Sequence, residues 1–145
     1  MDCKNKINIV GGGLAGCEAA YQISKLGIQV DLFEMRPKIS TKAHKTKLLA
    51  ELVCSNSFRS DDKEYNAVGV LHEELRIADS LIIKSADLNK VPAGSALAVD
   101  RDNFAKYIDK SIKENKNINV INKEIENLDQ FKNEIVIVAT GPLTS

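Results

Sequence analysis

The sequence predicts an α/β fold built on a parallel sheet, and three observations carry that prediction. Residues 6–10 form a short β-rich run with Ile7, Ile9 and Val10. Glycines follow at 11, 12, 13 and 16, and residues 14–26 place apolar side chains at helical spacing. A second β-rich run, residues 28–34, contains Val30, Leu32 and Phe33. Strand, helix and strand within about 30 residues make a parallel βαβ unit.

The remaining elements follow in order. The first helix puts Ala15, Ala19, Ile23 and Leu26 on one face, and Gly27 stops it. Residues 36–63, with Pro37, several Ser and Thr, and Asn56, read mostly as loop. A helix is expected over residues 67–87, burying Leu71, Leu75, Ala78 and Ile82. Pro92 and Gly94 end that region, and Ala96–Val99 reads as a short strand. Asp100 caps a helix over residues 102–114, with Phe104, Ile108 and Ile112 buried at a spacing of four. Residues 118–121 form another strand. The last, residues 134–139, is a continuous apolar run of the kind buried on both faces. Thr140, Gly141 and Pro142 then turn the chain, and no internal repeat or low-complexity tract is present.

Composition bounds the function classes. The 145 residues carry 20 basic and 20 acidic side chains, so the formal net charge is zero. That balance gives no global electrostatic case for nucleic acid or a membrane surface. A hydrophobic share of 43% suits a globular core, and the length suits one domain rather than a two-domain enzyme. The three cysteines, Cys3, Cys17 and Cys54, follow no zinc or disulfide spacing, so a reduced, cytoplasmic chain without a metal is expected. Lys4 and Lys6 before a small-residue apolar run mimic a secretory signal, but four glycines interrupt the run. No stretch approaches the roughly 20 apolar residues of a membrane span.

The four glycines have a better explanation. Gly11-Gly12-Gly13-Leu14-Ala15-Gly16 reads G-x-G-x-x-G directly after a strand and at the start of a helix. In that motif the first glycine permits the tight turn, the second lets the backbone approach a pyrophosphate, and the third lets helix pack on strand. The helix N-terminus then offers free N–H groups and partial positive charge to phosphates. Glu34 ends the next strand 18 residues after Gly16, where an acid reaches adenosine ribose hydroxyls. Such an acid disfavours a 2′-phosphate, so NADP is not expected in this site. Two features lean towards FAD over NAD: no dehydrogenase signature follows, and Ala139-Thr140-Gly141-Pro142 resembles an Ala-Thr-Gly segment of two-dinucleotide flavoproteins.

Other residues admit two readings. Cys54 lies in the polar segment Glu51-Leu52-Val53-Cys54-Ser55-Asn56-Ser57, where it is either a reactive thiol or an inert small side chain. Cys17 reads as packing filler and Cys3 as part of a frayed terminus. Arg36, Lys38, Lys42, Lys45 and Lys47 lie in a stretch without acids, either a phosphate- or RNA-facing loop or a solvated one. His44 in that loop and His72 on the expected helix read as surface residues.

Several segments together resemble one family. They are residues 9–20, Phe33-Glu34-Met35-Arg36-Pro37, residues 51–57, Asn66-Ala67-Val68-Gly69-Val70-Leu71, Val91-Pro92-Ala93-Gly94, Ala98-Val99-Asp100-Arg101 and residues 139–145. The chain is similar to the flavin- and folate-dependent tRNA (uracil-5-)-methyltransferases. The glycine turn is shared widely, but the Glu-Met-Arg-Pro and Glu-Leu-Val-Cys-Ser-Asn-Ser segments are far more specific. The resemblance implies a Rossmann-like FAD-binding domain holding FAD through Gly11, Gly12, Gly13, Leu14, Ala15, Gly16, Glu34, Arg36, Thr140 and Gly141. It implies an enzyme that takes a one-carbon unit from methylenetetrahydrofolate and reduces it through FAD with NAD(P)H. The methyl goes to carbon 5 of a T-loop uridine in tRNA. Cys54 matches one of the family's two functional cysteines, as nucleophile or as acid/base. At about a third of the family's usual length, residues 1–145 are expected to be a truncated N-terminal portion of the FAD domain, inactive alone. Two other readings compete: the related flavoprotein of carboxymethylaminomethyl modification of wobble uridine, and a non-catalytic dinucleotide-binding remnant.

Overall fold

The computed structural model describes residues 6–144. The expectation for Cys3 lies outside the described residues. The chain runs β1 (Lys6–Val10), α1 (Leu14–Lys25), β2 (Gln29–Glu34), β3 (Ser57–Ser60), α2 (Ala67–Ile77), α3 (Leu81–Leu88), β4 (Lys90–Val91), β5 (Ala96–Val99), α4 (Arg101–Lys113), β6 (Ile118–Asn122) and β7 (Ile135–Val138). A 3-10 turn, Leu128–Phe131, precedes β7.

Four strands form a parallel sheet in the order β6-β2-β1-β7. The register pairs Ile9 with Leu32 and with Ile137, and Leu32 with Val120. Side chains alternate across it, as a period of two requires. Ile9, Val30, Leu32 and Ile118 point into the main core with α1, α3 and α4. Val10 and Phe33 point to the opposite face and pack with Phe131 from the 3-10 turn. A second sheet, β3-β5-β4, is antiparallel.

The βαβ unit and the α4 helix match the sequence expectations. Asp100 caps α4 by accepting from the Asn103 N–H, and Phe104, Ile108 and Ile112 are fully buried. Four expectations need correction. First, α1 buries Gly16, Cys17, Ala20 and Ser24, while Ala15 and Leu26 are exposed. Small residues on that face let the helix lie close to the sheet. Second, the expected helix over residues 67–87 is two helices. Asp79 adopts φ 54°, a left-handed conformation, and Ser80 caps α3 through the Ile83 N–H. Leu71, Leu75 and Ala78 are exposed, and α2 instead buries His72. Third, β3 lies within the segment expected to be mostly loop, and β4 forms where no element was assigned. Fourth, β7 is an edge strand among the described residues, with Ile135 and Val138 exposed.

Candidate functional site

The site forms where β1 meets α1, at the C-terminal ends of the parallel strands. In open α/β sheets ligands bind in the crevice at that end. The chain turns so sharply after Val10 that Gly11 takes φ 110°, which L side chains rarely adopt. A Cβ at Gly11 would also stand 2.5 Å from the Ala139 carbonyl oxygen, at the end of β7. At Gly16 a Cβ would collide with the Gly11 carbonyl oxygen, so this glycine lets α1 sit on the turn. Gly13 differs: a Cβ there would meet nothing within 4 Å. Gly13 is the N-cap of α1 in an extended conformation, and no side chain among the described residues caps the helix. The first-turn N–H groups of α1 have no intrahelical partners, and open space begins at Gly13, just ahead of them.

That space is a cleft of about 540 Å³. Gly11, Gly12, Gly13, Glu34 and Thr140 line it, together with Met35, His44, Lys123 and Glu124. Glu34 is the best-connected group in it. Its Oε2 accepts from the Gly12 N–H at 2.8 Å, and its Oε1 accepts from the Arg36 N–H at 3.0 Å and from Arg36 Nε at 2.8 Å. Burial pushes this carboxyl up, but the Arg36 and Gly12 bonds together outweigh it and hold it below the usual carboxylate range. A carboxylate offers about four lone-pair sites. Three are used, which leaves one on Oε2.

The ten cofactor-site residues expected from the sequence divide into three groups. Gly11, Gly12, Gly13, Glu34 and Thr140 share the cleft. Leu14, Ala15 and Gly16 form the first turn of α1 behind it, and Gly141, at φ 65°, turns the chain beyond Thr140. Arg36 lies beneath the cleft. It is 3% exposed and joins Glu34 to Glu51, its Nη1 standing 3.1 Å from Glu51 Oε2. Arg36 therefore does not belong with the exposed cations of the 38–47 loop. Lys38, Lys42, Lys45 and Lys47 are exposed, as a solvated loop requires. His44 is half-buried on the cleft wall, its Nδ1 2.9 Å from Thr41 Oγ1, and is not a plain surface residue. His72 is buried, with Nδ1 3.0 Å from Asp61 Oδ1.

Cys54 is exposed and is not among the residues lining the large cleft. It stands beside a second cleft of about 170 Å³ between the 43–53 segment and the start of α4. Cys17, by contrast, is fully buried; burial pushes its thiol up, and its Sγ lies 3.4 Å from the Gly12 carbonyl oxygen. It is packing, as its position in the helix suggested. No group of three or more His, Cys, Asp or Glu side chains able to hold a metal occurs among the described residues.

Two contributors escaped the sequence reading. The Ala50 N–H donates to the Gly12 carbonyl at 2.9 Å, and the Leu49 N–H donates to Asp109 Oδ1 at 3.1 Å. This pair ties α4 to the glycine turn. Ala50 does so at φ 51°, which no residue type at that position announces. Lys123 and Glu124 reach the cleft because they follow β6 at the same end of the sheet. Their place after a parallel strand was the available signal.

Comparisons with known proteins agree with this architecture. A Methylenetetrahydrofolate--tRNA-(uracil-5-)-methyltransferase TrmFO of Bartonella henselae is 59% identical over 139 residues, covering 96% of this chain and 30% of that protein. The protein of the same name from Acetivibrio thermocellus is 58% identical over 139 residues, covering 96% and 31%. The chain thus spans about three tenths of the length of the curated relatives it matches. A solved structure of Aquifex aeolicus GidA shares the fold, with a TM-score of 0.64 and 16% identity over 82% of this chain and 19% of that one. The family model described as glucose inhibited division protein A matches residues 6–145, and the chain belongs to that family.

Proposed function

We propose that this chain is the dinucleotide-holding part of a cytoplasmic, FAD- and methylenetetrahydrofolate-dependent enzyme that methylates carbon 5 of a T-loop uridine in tRNA. The observation that carries the cofactor half is the open space over Gly13 at an uncapped helix N-terminus, with Glu34 on the same cleft. The relatives' names support the reaction half.

The residues present fit an adenine dinucleotide. The N–H groups at the start of α1 would hold the pyrophosphate, since they are donors without partners at the positive end of a helix. Glu34 would accept from a ribose hydroxyl through its remaining lone pair. Arg36 does not reach the ligand in this reading; it keeps Glu34 ionised and aimed. Gly11 and Thr140 form the wall where β1 and β7 end. When bound, FAD supplies the reducing equivalents for the one-carbon unit, with NAD(P)H as their source. Carbon 5 of uracil is a poor nucleophile, and the exposed Cys54 thiol serves its activation as nucleophile or as acid/base.

The test uses the complete protein, isotopically labelled methylenetetrahydrofolate, NAD(P)H and a T-arm RNA. Nucleoside analysis is expected to show label in 5-methyluridine. Carboxymethylaminomethyl modification of a wobble uridine would instead favour the related flavoprotein activity. Flavin binding without any RNA modification would favour a non-catalytic remnant.

A further inference from the structure

Outside the dinucleotide cleft, the best-defined arrangement is the attachment of the segment bearing Cys54. This segment has no regular hydrogen-bond ladder of its own before β3 begins at Ser57. It is held at two points from neighbouring rigid elements. Asn56 forms a two-bond clasp with Val99 at the end of β5: the Val99 N–H donates to the Asn56 carbonyl at 2.9 Å, and Asn56 Nδ2 donates to the Val99 carbonyl at 3.0 Å. Two residues before Asn56, the Cys54 carbonyl accepts from Arg101 Nη2 at 3.3 Å.

Arg101 is well placed for this. It is the first residue of α4, whose start is fixed by the Asp100 cap and by the bond from the Asp100 N–H to the Asn89 carbonyl at 2.9 Å. The helix is anchored by the fully buried Phe104, Ile108 and Ile112. Its guanidinium therefore reaches Cys54 from an element that does not move with the loop. A reactive group held by a rigid neighbour keeps the geometry its chemistry needs. The Cys54 side chain remains exposed beside the smaller cleft, which Val53 and Arg101 help to line.

We infer that Arg101 is a positioning residue for Cys54, fixing the backbone of the cysteine from the first turn of α4. The inference rests on the proposed role of Cys54, but its structural half is separate from it. Arg101 is exposed and packs no core, so its replacement leaves the fold intact.

The experiment compares Arg101→Ala, Arg101→Lys and wild type in the complete protein. Amide hydrogen exchange at Ser57 and at Val99, whose N–H groups are bonded within and onto this segment, is expected to quicken about fivefold in Arg101→Ala, the effect of one hydrogen bond. It is expected to recover in part in Arg101→Lys. On T-arm RNA, Arg101→Ala is expected to lower kcat about tenfold while KM for the RNA and flavin content stay unchanged. Exchange that stays at the wild-type rate in Arg101→Ala would overturn the positioning role. So would a raised KM with unchanged kcat, which would make Arg101 an RNA contact. If wild type itself fails to methylate while the exchange effect is present, the functional reading falls and the structural role of Arg101 stands.

Discussion

Replacing Gly13 with valine separates ligand binding from folding. The residue is the N-cap of α1 with φ −77° and ψ −165°, an extended backbone that valine adopts freely. A Cβ there meets no protein atom within 4 Å, so nothing in the fold is displaced. The remaining penalty is that valine is a poorer N-cap than glycine, about 1 kcal/mol. For a domain of this size that lowers Tm by about 3 °C. The branched side chain would project into the cleft where phosphate oxygens must meet the helix N–H groups. Losing two charge-assisted hydrogen bonds at about 1.5–3 kcal/mol each removes about 3–6 kcal/mol. At about 1.4 kcal/mol per factor of ten, FAD affinity should fall about 10²- to 10⁴-fold. Flavin absorbance per polypeptide and a thermal melt on the same complete protein measure both effects. Full FAD occupancy in Gly13→Val would refute the assignment of the cleft, and a collapse in Tm would refute the claim that the position is open.

Other perturbations should behave differently. Gly16→Ala puts a Cβ into the Gly11 carbonyl oxygen and is expected to destabilise the fold by at least about 3 kcal/mol, read as a lowered denaturant midpoint; an unchanged midpoint would contradict the close packing of α1. The Glu34 carboxyl is held below its usual range, so its stabilising contribution is complete above the unfolded value of about 4.3 and is lost as pH falls through the lower folded value. Glu34→Gln should therefore be less stable near neutral pH and lose stability less steeply in acid; an unaltered pH profile would count against the Arg36–Glu34 pairing.

The parts of the fold written by short-range rules were legible. The βαβ unit, the Asp100 cap and the spacing of Phe104, Ile108 and Ile112 each follow from local pattern. The glycine turn was legible for the same reason, since Gly11 and Gly16 answer steric demands close to one another in the chain. What escaped depends on distant partners. The sequence Ser57-Phe58-Arg59-Ser60 lacks a strand pattern and becomes β3 only by pairing with β5. The break between α2 and α3 did leave a mark, because Asp79 and Ser80 are turn and cap residues inside a run that otherwise keeps helical periodicity. Arg36 read as one cation among several, and its burial comes from Glu34 and from Glu51, 15 residues away. His72 likewise turns inward because Asp61 waits there, paired also with Arg76 and Lys90.

In the proposed function the glycine turn holds the nucleotide and the exposed Cys54, which does not line the larger cleft, serves methyl transfer. Flavin content and tRNA methylation measured on one preparation of Cys54→Ala in the complete protein test that division most directly. Cys54 does not line the dinucleotide cleft, so flavin should be retained at the wild-type level. Methyl transfer should fall at least about 10²-fold, the low end of what a positioned acid–base group contributes. Near-wild-type methylation with FAD bound would contradict the account and leave Cys54 a structural side chain.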